Sequence, residues 1–315
     1  MLRSYAWLVF CVTVWGSNFV FGAILVEQFP PMLLAIARLS VTCTFYIVFA
    51  WSTGRIVKPN RRDWMLLVPL ALLTMVNQSS FYIGLQYADP TVSALITAMS
   101  PIAVSLLAAV FLKERMTVRM AFGSVVAVTG VFFVVGSAGG GGSFSKGELL
   151  MAAAMMSFAV SMILTRKLTE FRDPFFATSY ATVLGSGLLL PVALIREDVS
   201  RMSTELWAWG LLIGCALIMQ VVCGLVWNRE MQRVGAGKAS IFLNLQPFVA
   251  MVLGYWILNK PVTGTQLIGS LLIIGGVLLA TVQTVRSMQR AARLSAKPAS
   301  GTAAGSEAGG GMSGP

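Results

Sequence analysis

The chain has 315 residues, of which 57% are hydrophobic and only 11% are charged, and it contains no histidine. A soluble domain carries about a quarter charged residues, so this balance excludes an ordinary soluble domain and indicates an integral membrane protein. The net charge of +11 would fit a nucleic-acid-binding protein, but the distribution of the basic residues, given below, excludes that class.

Ten apolar segments, each long enough to cross a hydrocarbon core of about 30 Å, follow one another along the chain. They lie at about residues 5–25, 31–51, 64–85, 91–112, 118–137, 147–165, 175–195, 206–227, 239–258 and 264–285. The first exceeds the apolar core of a signal peptide and lacks a small-residue cleavage site, so it is interpreted as a span. The predicted fold class is therefore an all-α membrane protein with ten transmembrane helices.

The basic residues are distributed unevenly between the two sides of this threading. With the N-terminus inside, 18 of the 23 Lys and Arg residues fall on the inner side, four on the outer side, and Arg38 within a span. This bias follows the positive-inside rule, so the net positive charge is explained by the orientation of the chain in the membrane. The expected location is the cell inner or plasma membrane with both termini in the cytoplasm.

The chain resembles itself at an offset of 146 residues. Residues 95–131 match residues 241–277 without gaps, so that Pro101 falls on Pro247 and Gly130 on Gly276. Each copy holds five spans, an odd number, and the second copy therefore enters the membrane the other way up. The sequence predicts two inverted five-helix repeats, which is a transporter architecture.

The expected boundaries follow from this repeat. Residues 1–138 form the first five-helix repeat, residues 139–146 a glycine-rich linker, and residues 147–286 the second repeat. Residues 287–315 are rich in Ala, Gly and Ser, with little apolar surface to bury, and are expected to form a disordered cytoplasmic tail.

Pro101 and Pro247 lie near the middle of the fourth and ninth spans. A proline inside a helix removes one backbone hydrogen bond, and its ring clashes with the preceding turn. The pair is interpreted as symmetry-related hinges that line a cavity, with static kinks as the alternative. Ser100 and Gln246 directly precede the prolines and are placed at the substrate site. The glycines of the fifth and tenth spans are interpreted as packing positions between the two halves.

Arg38 is the charged residue placed well inside a span, about 12 Å from Pro30 at 1.5 Å per residue. An arginine at the bilayer centre costs about 2.5–3.5 kcal/mol on insertion scales. The side chain either extends to the membrane rim, pairs with a structural partner, or contacts an anionic group of a substrate.

The stretch VNQSSFY, residues 76–82, places polar residues inside the third span. Four consecutive helical residues sweep about 300° of the helix surface, so they cannot share one face. We expect Asn77, Gln78, Phe81 and Tyr82 to face the cavity, and Ser79 or Ser80 to bond to backbone or to a neighbouring helix. Adhesion between helices is the alternative. Further candidate substrate contacts are Trp15, Asn18 and Asn244.

Other functional classes lack the residues that they need. The sequence holds no zinc-protease, serine-hydrolase or nucleotide-binding motif and no carboxylate pair, so an enzyme is not expected. The four cysteines lie in apolar segments and are interpreted as packing residues, so neither a metal nor a cofactor is expected. No Asp or Glu lies deep in a span, which predicts weak or absent proton coupling.

The order of these residues resembles the EamA-type branch of the drug/metabolite transporter superfamily over residues 5–285. The resemblance is carried by Trp15-Gly16-Ser17-Asn18-Phe19, Pro31, Arg38, Leu85-Gln86-Tyr87-Ala88, Ala94-Leu95, Pro101, Leu112-Lys113-Glu114-Arg115, Gly123, Gly130, Pro247, Leu258, Gly269 and Gly276. It implies a ten-helix transporter with cytoplasmic termini that exports amino acids or other small metabolites. Lys260 departs from the pattern, because many members have Glu there.

Three functions remain open at this stage. The first is a secondary exporter of amino acids, with aromatic amino acids as the narrower expectation, that works by facilitated diffusion or exchange. The second is a carrier of other metabolites or lipophilic drugs in which Arg38 contacts an anion. The third is a membrane scaffold that transports nothing. The expected partners are a small-molecule substrate and the lipid bilayer, without nucleic acid; the oligomeric state is left open, and a monomer is compatible with the sequence.

Overall fold

The structure is a computed structural model that describes residues 2–111, 145–234 and 242–276, together with residues 118, 122–123, 125–126, 129–130, 133 and 279. Most of the predicted fifth span and of the linker, the start of the ninth span, most of the end of the tenth span after residue 276, and the C-terminal tail lie outside the described residues. The described part of the chain is helical, and no strand occurs within it. This confirms the all-α class.

The first half contains α1 (Leu2–Gln28), α2 (Pro31–Ser52), α3 (Arg61–Tyr87), α4 (Pro90–Thr97) and α5 (Ser100–Phe111). The second half begins with α6 (Lys146–Thr169) and α7 (Pro174–Arg196). A 3₁₀ turn, Val199–Arg201, precedes α8 (Leu206–Cys215), which continues through a π-helical segment, Ala216–Val222, into α9 (Cys223–Val234). A second 3₁₀ turn, Leu243–Leu245, leads into α10 (Gln246–Leu258), and α11 (Gly264–Gly276) follows.

Within the described residues, six helical segments are long and apolar enough to cross a membrane. They correspond to the predicted spans 1, 2, 3, 6, 7 and 8. Three shorter apolar segments, Pro90–Val104, Gln246–Leu258 and Gly264–Gly276, match the predicted spans 4, 9 and 10. The chain is thus an integral membrane protein, and the full count of ten transmembrane helices stays a prediction.

Local capping chemistry fixes where the helices begin. Asp89 caps α4 by accepting a hydrogen bond from the Thr91 amide, and Asp173 caps α7 by accepting one from the Phe175 amide. A proline follows each of these aspartates, and its fixed φ favours the first helical turn. Capping boxes start α3 and α6 as well, each from a side-chain oxygen and a carboxylate three residues later.

Both repeats depart from α-helical hydrogen bonding just before the matching proline. Turn residues 98–99 separate α4 from α5, and the 3₁₀ turn Leu243–Leu245 precedes α10. Pro101 and Pro247 are each the second residue of the helix that follows the interruption. Static kinks within continuous helices were the alternative interpretation of these prolines, and the structure does not show such kinks; the hinge role stays a prediction. The prolines occupy the first turn of new helices, where the missing amide hydrogen bond costs nothing.

The two halves interleave, and several contacts between them recur when the halves are exchanged. α3 packs along α6, and the counterpart of this contact is the packing of α8 and α9 along α1. α3 also packs on α7, and in the same way the π-helical segment packs on α2. Finally, α1 packs on α10, and its counterpart is the packing of α6 on α4 and α5. These recurring contacts are those that two repeats related by a two-fold axis are expected to make. Gly130 and Gly269 contribute to the packing between the halves, because a Cβ on Gly130 would lie 2.8 Å from the Gly269 carbonyl oxygen. The predicted packing role of these two glycines is confirmed.

Ionic contacts join the halves near the helix ends. Arg172 donates to the Asp63 carboxylate at 2.7 and 3.0 Å, and this hydrogen bonding raises the pKa of the Arg172 guanidinium above its ordinary value. Lys260 Nζ lies 2.8 Å from Asp89 Oδ2, so the residue that departs from the family pattern does have an acidic partner. The carboxylate of Glu197 accepts the Met32 and Leu33 amides and thereby caps α2.

Candidate substrate-binding site

Arg38 lies in the middle of a polar cluster between α1, α2, α3 and the π-helical segment. Its side chain is almost fully buried, with 1% of its surface exposed. Nη1 donates to Asn18 Oδ1 at 2.8 Å, and Nη2 lies 3.5 Å from Met219 Sδ. The guanidinium carbon is 5.4 Å from the centre of the Tyr82 ring, within the range of a cation–π interaction. Burial of this degree excludes the extension of Arg38 to the membrane rim.

The guanidinium is incompletely satisfied. Its Nε has no hydrogen-bond partner among the described residues, and a thioether sulfur is only a weak acceptor for Nη2. None of the described Asp and Glu residues forms an ion pair with Arg38. A buried charge without an ionic partner is costly, and no acidic side chain among the described residues compensates the charge of Arg38.

The π-helical segment Ala216–Val222 forms the opposite wall of the cluster. Trp15 Nε1 donates to the Met219 carbonyl oxygen at 2.7 Å, and the Thr42 hydroxyl lies 2.6 Å from Gln220 Oε1. The Thr42 hydroxyl also lies 3.0 Å from the Arg38 carbonyl oxygen, so it links α2 to the second half. π-helical turns occur frequently at functional sites, because they shift side chains out of the regular helical register.

Aromatic rings surround the polar groups. Phe81 lies with its ring centre 5.6 Å from that of Phe19 and 5.1 Å from that of Tyr82. Trp15 and Trp227 are 5.0 Å apart on the side of α9. Tyr82 is fully buried, whereas Phe81 keeps part of its surface accessible. The cluster thus combines one cation, amide groups and ring faces.

Several residues predicted for the site are brought together and others are not. Trp15, Asn18, Arg38 and Tyr82 meet in the cluster, and Phe81 borders it. Asn77 points elsewhere: its Nδ2 donates to the Ala154 carbonyl oxygen at 2.8 Å and joins α3 to α6.

The remaining predicted residues occupy separate places. Gln78 is partly buried on α3, and Ser79 donates to the Met75 carbonyl oxygen at 2.7 Å, as expected for one of the two serines. Ser100 donates to the Thr97 carbonyl oxygen at the α4–α5 interruption. Gln246 is the first residue of α10, and Asn244 lies in the 3₁₀ turn before it. The structure describes the backbone of Asn244 but not its side chain. Substrate contact by these residues stays a prediction.

The sequence analysis missed Thr42, Met219 and Gln220. Gln220 had a usable signal, because it is the amide side chain in the apolar run from Leu206 to Trp227. Thr42 follows Arg38 by four residues and therefore shares its helix face. No pattern in the sequence marks the π-helical segment or the position of Met219.

Comparison with known proteins shows that the relatives of this chain are transporters. The sequence profile of the EamA-like transporter family matches residues 2–136 and 145–282. The chain is 28% identical over 273 residues to "Uncharacterized transporter YyaM" of Bacillus subtilis (strain 168), covering 84% of this chain and 89% of the relative. It is 28% identical over 290 residues to a "Probable terminal-alkyne amino-acid exporter" of Streptantibioticus cattleyicolor, covering 90% of this chain and 95% of the relative.

A solved crystal structure superposes on the chain with a TM-score of 0.66 at 17% sequence identity, covering 89% of this chain and 97% of that one. At this identity the likeness concerns the fold alone.

Proposed function

The chain belongs to the EamA-like transporter family, and from this premise we propose that it is a secondary transporter that exports amino acids or similar small metabolites by alternating access. The observation that carries the proposal is the polar cluster around Arg38, which lies between helices of both halves. A site between two repeats becomes accessible from either side when the repeats exchange their conformations.

The paired interruptions support the alternating-access part of the proposal. The α4–α5 turn and the 3₁₀ turn before α10 are symmetry-related, and each is followed by a proline, Pro101 or Pro247. Broken helices supply places where a span changes direction without unwinding a continuous helix. We propose that these two points act as the hinges, and that the protein lies in the cell inner membrane with both termini in the cytoplasm.

Amino acids are favoured as cargo for two reasons. The Streptantibioticus cattleyicolor relative is named as a probable amino-acid exporter. In addition, the cluster offers a guanidinium for a carboxylate and ring faces from Phe81 and Tyr82 for an apolar side chain. Aromatic amino acids are the narrower proposal. Facilitated diffusion or exchange is favoured over proton coupling, because no Asp or Glu lies deep in a predicted span.

Flux in proteoliposomes tests this function. Purified protein is reconstituted, and counterflow of labelled phenylalanine, tryptophan and alanine is measured against protein-free vesicles, with and without a protonophore. We expect saturable counterflow that the protonophore leaves unchanged. Rates equal to those of protein-free vesicles for every amino acid and for a wider metabolite panel would favour a scaffold instead. Flux of organic anions or lipophilic drugs alone would favour the alternative carrier.

A further inference from the structure

We propose that the Arg38 cluster recognises its substrate by a carboxylate alone, so that the carboxylate is required and an ammonium group is dispensable. This inference rests on the proposed transport function and narrows it to a chemical class. The class comprises small monocarboxylates with an apolar body, of which amino acids are only one kind. The edge of a buried guanidinium that lacks an oxygen acceptor among the described residues is the feature that leads to this assignment.

The hydrogen bonds of Arg38 leave one edge of the guanidinium without an oxygen acceptor among the described residues. Nη1 is held by Asn18 Oδ1 at 2.8 Å, which fixes the plane of the group. Nε and Nη2 point along the other edge; Nε has no partner among the described residues, and Nη2 meets the Met219 sulfur at 3.5 Å. A carboxylate binds this edge of an arginine through two parallel N–H···O bonds. The edge is thus preorganised for two carboxylate oxygens.

Met219 covers this edge in the present conformation. Its thioether is the weak acceptor on Nη2, and the residue belongs to the π-helical segment of the second half. A methionine side chain has three rotatable bonds and adapts easily, so a carboxylate oxygen can replace the sulfur. Because α2 belongs to the first half, the Arg38–Met219 contact separates when the halves move apart. Movement of the halves and access to the guanidinium are therefore linked.

An ammonium group finds no ionic partner in the same cluster. The polar groups around Arg38 are the amides of Asn18 and Gln220, the Thr42 hydroxyl and the Tyr82 ring, all of them neutral side chains. None of the described acidic residues pairs with Arg38: Asp63 and Asp89 pair with basic residues at helix ends, and the buried Glu230 lies on α9, eleven residues after Met219. A cation brought beside Arg38 would meet repulsion, so an amine without a carboxylate should be rejected.

Two matched sets of three compounds distinguish the contribution of the carboxylate to binding from that of the ammonium group. The first is phenylalanine, 3-phenylpropionate and 2-phenylethylamine; the second is alanine, propionate and ethylamine. Each compound is tested as a competitor of counterflow and, separately, for its effect on the unfolding temperature of the detergent-solubilised protein. We expect both carboxylates of a set to compete and to stabilise, and the amine to be about 10- to 100-fold weaker, as for loss of hydrogen bonds to a charged group.

Arg38→Lys provides the matched variant, because it keeps the charge and loses the two-pronged donor. We expect the carboxylates to lose their effect on its unfolding temperature, while the variant without ligand unfolds cooperatively. The comparison of compounds on the native protein does not depend on this variant, so a folding failure of Arg38→Lys leaves the inference testable.

The outcomes distinguish this inference from the transport function. Carboxylate-specific stabilisation without any flux would support the site and overturn the proposed function. Flux in which amines compete as well as carboxylates would support transport and overturn the site. Absence of both flux and carboxylate-dependent stabilisation would overturn the two together.

Discussion

Alanine in place of Gly16 tests the closest contact between the two halves beside the candidate site. Gly16 lies on α1 between Trp15 and the residues that lead to Asn18. A Cβ at this position would be 2.7 Å from Val249 Cβ and 3.0 Å from the Gln246 carbonyl oxygen. Ordinary carbon–carbon contacts lie at about 3.5–4.0 Å, so α1 and α10 would have to separate by roughly 1 Å.

The magnitude follows from what can move. Val249 is β-branched and stiff, and the Gln246 oxygen belongs to the backbone, so neither rotates away. Overpacking of this kind costs about 1–3 kcal/mol. Gly214 on α8 is the matched control, because a Cβ there would meet nothing within 4 Å. Gly214→Ala should be neutral or should stabilise by up to about 1 kcal/mol, through helix propensity.

The four cysteines supply the assay. All of them are free and buried, so a thiol-reactive fluorescent dye labels them only as the protein unfolds in detergent. A difference of about 1–4 kcal/mol between Gly16→Ala and Gly214→Ala corresponds to several degrees in unfolding temperature. Val249→Gly in the Gly16→Ala background removes the opposing Cβ and should recover part of the loss. Equal unfolding temperatures for the two alanine variants would show that α1 and α10 do not meet at Gly16.

Three further predictions concern contacts between the halves. Arg172→Gln should lower the free energy of unfolding by about 3 kcal/mol, because it leaves the fully buried Asp63 carboxylate without its ionic partner. Asp63→Asn should cost less, because the Arg172 side chain is 23% exposed and can reach water. The reverse order in thermal unfolding would contradict this. Lys260→Ala should lower the free energy of unfolding by less than about 1 kcal/mol, because its ion pair with Asp89 is exposed. Salt at about 1 M should remove this difference, and a difference that persists would contradict a surface ion pair. Asn77→Leu should cost about 0.6 kcal/mol, the average for a hydrogen bond between membrane helices, and leave the ranking of transported compounds unchanged; a changed ranking would place Asn77 at the substrate.

Helix starts could be predicted from the sequence because their chemistry is local. Asp89-Pro90 and Asp173-Pro174 each combine a side-chain cap with a proline suited to the first turn, and helices begin at both prolines. The repeat marked Pro101 and Pro247 as equivalent positions, and the structure places both in the same helical position. It could not distinguish a kink from a new helix, because that choice depends on how the freed carbonyl groups before the proline are satisfied.

The orientation of side chains within the third span could not be predicted from the sequence. Asn77 and Tyr82 are both polar members of one apolar segment, yet Asn77 faces α6 and Tyr82 faces Arg38. The rotation of α3 about its axis is set by its packing on α6 and α7, which lie in the other half of the chain. The position of Met219 is likewise tertiary, because the π-helical segment that presents it to Arg38 has no signal in the residue order.

The symmetry of the scaffold and the asymmetry of the site lead to a constraint on mechanism. A turn precedes both Pro101 and Pro247, so under the proposed hinge role either half would be able to supply the movement. The charge does not repeat: α7, the counterpart of α2, carries no charged residue between Pro174 and its last residue, Arg196. Under the proposed recognition by Arg38, a substrate carboxylate would have one fixed point of attachment, on α2, whichever side is open. The substrate would stay on the first half throughout the cycle, while the π-helical segment of the second half approaches and withdraws.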